Sequence, residues 1–267
     1  MIDIWNVAIL NPMLNGLIAL SEILGKNFGL AIIVLTVAVR IVLIPLTFKQ
    51  TQSTKAMQSL QPKLQELQKK YARNQQKLQQ EMMALYKEAG VSPLGCMWPL
   101  LIQFPIWIAL YQSIMQALAA TPENLLLLSQ HLYSWDMVGQ AIPLNEMFLG
   151  LKLSQPDPTM ILAILVGGTM WLQQKMVTPP ATDPKQQQMT SMTTMMMPMM
   201  FAFFTLSFPS GLALYWVVSN IIGIGIQYFI GGGWGYFTFP SLRPQPQATT
   251  QPKIEQKGSQ DGKKGQN

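Results

Sequence analysis

The chain has 267 residues, of which 49% are hydrophobic and only 11% charged, with a formal net charge of +6. A soluble domain carries about 25% charged residues, so the composition excludes an ordinary soluble globular protein. The single cysteine, Cys96, excludes an internal disulfide or a cysteine metal site.

Residues 1–27 mix apolar and polar side chains with few charges and read as an extracytoplasmic, interfacial amphipathic helix. They have no basic n-region, and Pro12 and Asn15 interrupt them early, so no cleaved signal or transit peptide is expected. A spanning helix needs roughly 20 mostly apolar residues. Five runs fit: about 28–48, 94–118, 159–177, 190–208 and 212–230. The expected fold is therefore an all-α integral membrane protein, a five-helix core over residues 28–230.

Between the first two spans, residues 49–90 carry helical stripes. Leu60, Leu64, Leu67 and Tyr71 are spaced 4, 3, 4, and Leu78, Met82 and Leu85 are spaced 4, 3. The break near Asn74 predicts a helical hairpin ending at Gly90, with Pro62 kinking or interrupting its first arm. It reads either as a solvated spacer or as a mobile docking arm near anionic headgroups or a partner. The outer loop, 119–158, is long and carries no assigned structure. Residues 231–267, rich in Gly, Pro, Gln and Lys, predict a disordered basic tail. Charge attraction could bring such a tail to a membrane surface or to ribosomal RNA, and a plain solvated tail fits as well.

Lys and Arg set orientation. The 49–90 segment holds Lys49, Lys55, Lys63, Lys69, Lys70, Arg73, Lys77 and Lys87, the segment after the third span holds Lys175 and Lys185, and the tail is basic. The outer loop has Lys152 against Glu123, Asp136, Glu146 and Asp157. All basic segments share one side if the N-terminus is outside and the C-terminus inside, which makes the hairpin cytoplasmic.

Arg40 is the 13th residue of a 21-residue apolar run. Arg at a helix centre costs roughly 2.5–3.5 kcal/mol on the insertion scale. None of the five runs contains Asp or Glu, so no carboxylate in the spans can pair with it. Snorkelling would relieve part of the cost. A wet groove is the other account, because polar residues in lipid face each other or water. Its candidates are Thr36 and Thr47, Gln103, Gln173 and Gln174, and the stripe Trp216, Asn220, Gly223 and Gln227, spaced 4, 3, 4. The fourth span is crowded with methionine (Met189, Met192, Met195, Met196, Met197, Met199 and Met200), which suits either ordinary packing or a surface accepting varied partners.

Enzyme chemistry has little to work with. There is no GxxxxGK[ST] loop, no HExxH, no pair of intramembrane aspartates, and the one histidine, His131, lies outside the spans. No enzymatic activity and no cofactor are expected. A small-molecule transporter or channel, with Arg40 as an anion site, is one alternative; an assembly subunit of a larger membrane complex is another.

Three segments carry a resemblance: RIVLIPLTFKQTQSTKAMQSLQPKLQELQKKY (40–71), GCMWPLLIQFPIWIALYQSI (95–114) and FPSGLALYWVVSNIIGIGIQ (208–227), supported by WLQQKM and TTMMMPMMF. The chain resembles the YidC/Oxa family of membrane protein insertases over residues 28–230. The resemblance implies a multi-pass protein of the bacterial plasma (inner) membrane that inserts and helps fold newly made membrane proteins without ATP. It implies a groove open to cytoplasm and lipid but closed to the outside, with Arg40 as its positive residue and Gln103, Gln173, Trp216 and Asn220 lining or flanking it. The second and fifth spans would offer an apolar slide. Nascent membrane proteins and lipid are the expected partners, with the ribosome, through tail and hairpin, and the general secretion channel as candidates, and no DNA. The large extracytoplasmic domain of many two-membrane members and the lipoprotein-type N-terminus of single-membrane relatives are both missing from this pattern.

Overall fold

The computed structural model describes residues 2–90, 98–118, 122–134, 144–178, 184–231, 233–235 and 237. The start of the second expected span, parts of the outer loop and nearly all of the expected tail lie outside these residues. The described elements are almost entirely helical. They are α1 (Ile2–Trp5), a π-helical turn (Asn6–Leu10), α2 (Asn11–Ile23), α3 (Phe28–Ser59), α4 (Gln61–Lys70), α5 (Gln75–Glu88), α6 (Trp98–Ala117) and α7 (Pro122–His131). A two-stranded antiparallel sheet follows, β1 (Met147–Phe148) and β2 (Leu151–Lys152), then α8 (Ile161–Val177), α9 (Pro184–Thr205) and α10 (Ser210–Gly231).

Three described helices are long and apolar enough to cross a membrane by length and composition: Asn6–Ile23, Phe28–Met57 and Ser210–Ile230. Ile161–Val177 is a shorter apolar helix. Helix α10 is the hub. It packs against α3, α8 and α6, while α8 also packs against α9. Small residues allow these close approaches. A Cβ at Gly211 would stand 3.2 Å from Ile32 and Ile114, and one at Gly167 would stand 3.1 Å from Ala202. Helices α3 and α6 both lean on α2 and α10 but meet each other little among the described residues.

The N-terminal helix does more than lie at an interface. Leu10, Leu14, Leu17 and Ile18 of its apolar stripe are buried in the core with Phe28, Ile32 and Ile114. The end of α7 and the segment after it are stitched to it. Asn15 Nδ2 donates to the His131 carbonyl at 2.8 Å, and the Tyr133 N–H donates to Asn15 Oδ1 at 2.7 Å. Fully buried Asn15 is thereby satisfied, as a buried amide must be.

Helix α3 runs unbroken about ten residues past Phe48, some 48 Å in all at 1.5 Å per residue. Pro62 does not kink the next helix. It sits in the first turn of α4, where a missing N–H costs nothing. Helices α4 and α5 pack against each other across the 71–74 turn, and Asn74 caps α5 by accepting from the Lys77 N–H at 3.1 Å.

Asp157 organises the start of α8. Its Oδ1 accepts from Thr159 N at 2.8 Å and from Thr159 Oγ1 at 2.6 Å, and its Oδ2 accepts from Leu162 N at 2.8 Å. Burial alone would raise its pKa, but the hydrogen bonds outweigh burial and hold the carboxyl below its ordinary value. A depressed folded pKa gives stability that is full above the unfolded value, about 3.9, and is lost as pH falls through the folded value. Asp157→Ala should therefore lower stability by about 1–2 kcal/mol at neutral pH, measured by thermal melting in detergent. The gap to the parent should close as pH drops below about 4; a gap that persists undiminished in acid would refute this role.

Candidate functional site: a polar cluster around Arg40

Arg40 lies on α3, twelve residues after Phe28. Its half-buried side chain reaches α10, where Nε donates to Ser219 Oγ at 2.8 Å and Nη2 donates to the same oxygen. Ser219 is buried. One turn earlier on the same face of α10, the buried Tyr215 hydroxyl accepts from Gln103 Nε2 of α6. Arg40 and Gln103, on two helices that meet little among the described residues, are thus each tied to a hydroxyl on α10.

The other expected residues fall around this cluster. The amide of Gln173 on α8 lies over Gly223 so closely that a Cβ there would collide with it. Gly223 is one turn from Ser219 along α10. Asn220 Nδ2 turns to α8 and donates to Thr169 Oγ1 at 3.1 Å. Trp216 turns into an aromatic nest, with ring centroids 5.9 Å from Trp107, 5.6 Å from Phe201 and 5.9 Å from Phe208. Thr36 and Thr47 donate to carbonyls of their own helix, Ile32 at 2.6 Å and Leu43 at 2.9 Å. Such back-bonding satisfies a hydroxyl without any cavity.

Tyr215 and Ser219 escaped the sequence reading. A helix turns about 100° per residue, so the chosen stripe, 216–220–223–227, lies one residue round from the face that meets Arg40. The available signal was a hydroxyl pair at i, i+4 inside an apolar helix. Met13 of α2 bounds a small apolar cavity with Leu35, Thr36, Val39, Ile106, Leu110 and Tyr215.

The model of the 60Kd inner membrane protein family matches residues 19–233. The chain belongs to this family. It is 40% identical over 233 residues to membrane protein insertase YidC 2 of Bacillus anthracis, covering 86% of this chain and 82% of that one. It is 34% identical over 247 residues to membrane protein insertase MisCA of Bacillus subtilis (strain 168), covering 91% and 82%. Against membrane protein insertase YidC of Histophilus somni (strain 2336) it is 41% identical over 229 residues, spanning 86% of this chain and 38% of that longer one. A crystal structure of active YidC insertase with its first transmembrane domain resolved superposes with a TM-score of 0.56 at 28% identity. The match covers 78% of this chain and 43% of that one.

At Trp216 the described surroundings are packing. Its indole N–H is buried with no acceptor among the described residues. Trp216→Phe keeps the ring contacts and deletes an unpaired donor, so it should cost little stability. Trp216→Ala opens a void in the nest and should cost about 3–5 kcal/mol. Thermal melting of both variants checks this; equal losses would show that the N–H, not the ring, is what matters.

Proposed function

We propose that this chain is a membrane protein insertase that receives a polar segment of a newly made membrane protein at Arg40 and passes the adjoining apolar helix into lipid. Family membership and the insertase names of its relatives support the activity. One observation carries the mechanism. A guanidinium stands deep in an apolar helix and is met by a serine hydroxyl instead of a carboxylate. A permanent acid would neutralise it; a hydroxyl solvates it and leaves its charge to attract a client.

The topology that goes with this reading has five spans, the N-terminus outside and the C-terminus inside the plasma membrane of a bacterium. The α4–α5 pair then stands in the cytoplasm with the basic tail, both able to meet a ribosome. The groove holding Arg40 opens to cytoplasm and lipid. Buried packing of α2 against α3 and α6 supports its closure on the outer side. A polar segment brought to Arg40 has less apolar thickness left to cross. The membrane potential adds roughly 2.3 kcal/mol per charge per 100 mV and favours outward movement of acids. No bond is made or broken and no nucleotide is needed.

The slide is better placed on the second and fourth spans, α6 and α9, than on the second and fifth. Helix α10, the fifth, buries Leu212, Ala213, Tyr215, Trp216 and Val217. Helix α6 instead exposes Leu101, Phe104, Ile108, Tyr111 and Met115, spaced 3, 4, 3, 4, and α9 exposes Met192, Met195, Met196, Met199 and Phe203. Flexible thioethers adapt to varied client helices.

The test is reconstitution of the purified protein in liposomes with a small client whose translocated segment is acidic, read by protease protection. Arg40→Ala should fold and lose most insertion, while Arg40→Lys should keep much of it, since charge rather than fork geometry attracts the client. Full insertion by Arg40→Ala would sink the proposal. Solute flux through the protein alone would favour a channel instead.

A further inference from the structure

Arg40 could serve as a receiving charge only if its long side chain is held toward the client's path. A free Arg in this position would snorkel along its own helix toward the nearer headgroups. The contact with Ser219 has a specific form. Nε and Nη2 make up one edge of the guanidinium fork, and both donate to the single Ser219 oxygen. The end edge, formed by the two Nη groups, is the other one able to grip a carboxylate with two parallel hydrogen bonds. Holding the first edge presents the second.

We propose that Ser219 is a positioning residue for insertion: it fixes Arg40 across from α3 to α10 and aims the end edge of the guanidinium at carboxylates of the client's polar segment. This rests on the insertase reading above and adds to it the group that orients the charge. Three observations support it. Ser219 is buried, with 2% of its surface exposed, so its oxygen has little water to compete for it. Its neighbour one turn away, Tyr215, is itself tied to Gln103 of α6, which fixes the face of α10 that Ser219 shares. Helix α3 packs against α10, which brings the Ser219 hydroxyl directly to Arg40, while α3 meets α6 little among the described residues. Preordering a flexible side chain spares the client that entropy cost on binding.

The experiment compares Ser219→Ala, Arg40→Ala and the double variant in proteoliposomes. Two clients are used that differ only in whether the translocated segment carries acids or their amide counterparts. Removing one small hydroxyl leaves the helix packing nearly unchanged, and melting in detergent verifies that. Ser219→Ala should slow insertion of the acidic client about tenfold, the scale of a lost hydrogen bond to a charged group. It should leave the amide client near the parent rate. In the Arg40→Ala background it should add nothing, because the residue it positions is gone. Equal slowing of both clients, a parent-like rate with the acidic client, or a loss that adds to that of Arg40→Ala would each overturn the positioning role. If Arg40→Ala itself inserts the acidic client normally, the insertase mechanism fails at its root. If Arg40 is required and Ser219 is not, only the present inference fails.

Discussion

A guanidinium placed in an apolar helix must be solvated by something, and here that something is the oxygen of Ser219. The insertion cost of Arg at mid-helix is a few kcal/mol, roughly 2.5–3.5. A good hydrogen bond to a charged group returns about 1.5–3 kcal/mol. The two are of the same size, so the residue is tolerable without an acid. That balance governs the surrounding architecture. α10 must bring a buried hydroxyl to the depth of Arg40, and it can do so only if its own faces are otherwise apolar and closely packed.

The packing of α10 meets that demand with three different faces. One face carries Tyr215 and Ser219 toward α3 and α6. A second carries Trp216 into the aromatic nest formed with Trp107, Phe201 and Phe208. Asn220 and Gly223 meet α8 through Thr169 and Gln173. A Cβ at Gly223 would push the Gln173 amide out of its present place. A helix fixed on several sides cannot rotate, and a rotation of one residue would swap Ser219 for an apolar or differently engaged neighbour. The precision of the Arg40 contact is therefore a product of apolar packing elsewhere.

Much of this was legible in the residues alone, and the parts that were not have physical reasons. Arg40 stands out because no other charge interrupts its run and no acid lies in any span. Gln103 stands out as an amide in an apolar stretch, and Asn74 as a helix breaker that proves to be a cap. Ser219 was passed over because serine is small and hides well in an apolar helix, and Tyr215 because an aromatic residue reads as packing. Which of two adjacent stripes faces a partner depends on helix rotation, and rotation is set by tertiary contacts that one helix does not encode. The N-terminal segment misled for a related reason. Its moderate amphipathicity suits an interface, yet Leu14, Leu17 and Ile18 become core because this helix packs against both α3 and α6. The threonines of α3 misled in the opposite direction, since a hydroxyl can be satisfied by its own helix and needs no wet neighbour.

The choice of a hydroxyl over a carboxylate separates a receiving site from a structural one. An Asp at 219 would pair with Arg40 in a weakly screened setting, and breaking such a buried pair costs about 3–5 kcal/mol. A client acid would have to displace it and leave one carboxylate stranded. A serine oxygen leaves the guanidinium charge unneutralised, so in the proposed mechanism the end edge takes a client carboxylate while Ser219 keeps the other edge. In the proposed mechanism no buried acid has to be displaced on capture, so modest driving forces suffice to move a polar segment onward: the membrane potential acting on its acids and the partitioning of its apolar helix beside α6 and α9. On the proposed mechanism a site with no counter-charge can capture and release, whereas one neutralised by a buried acid would hold a client acid poorly.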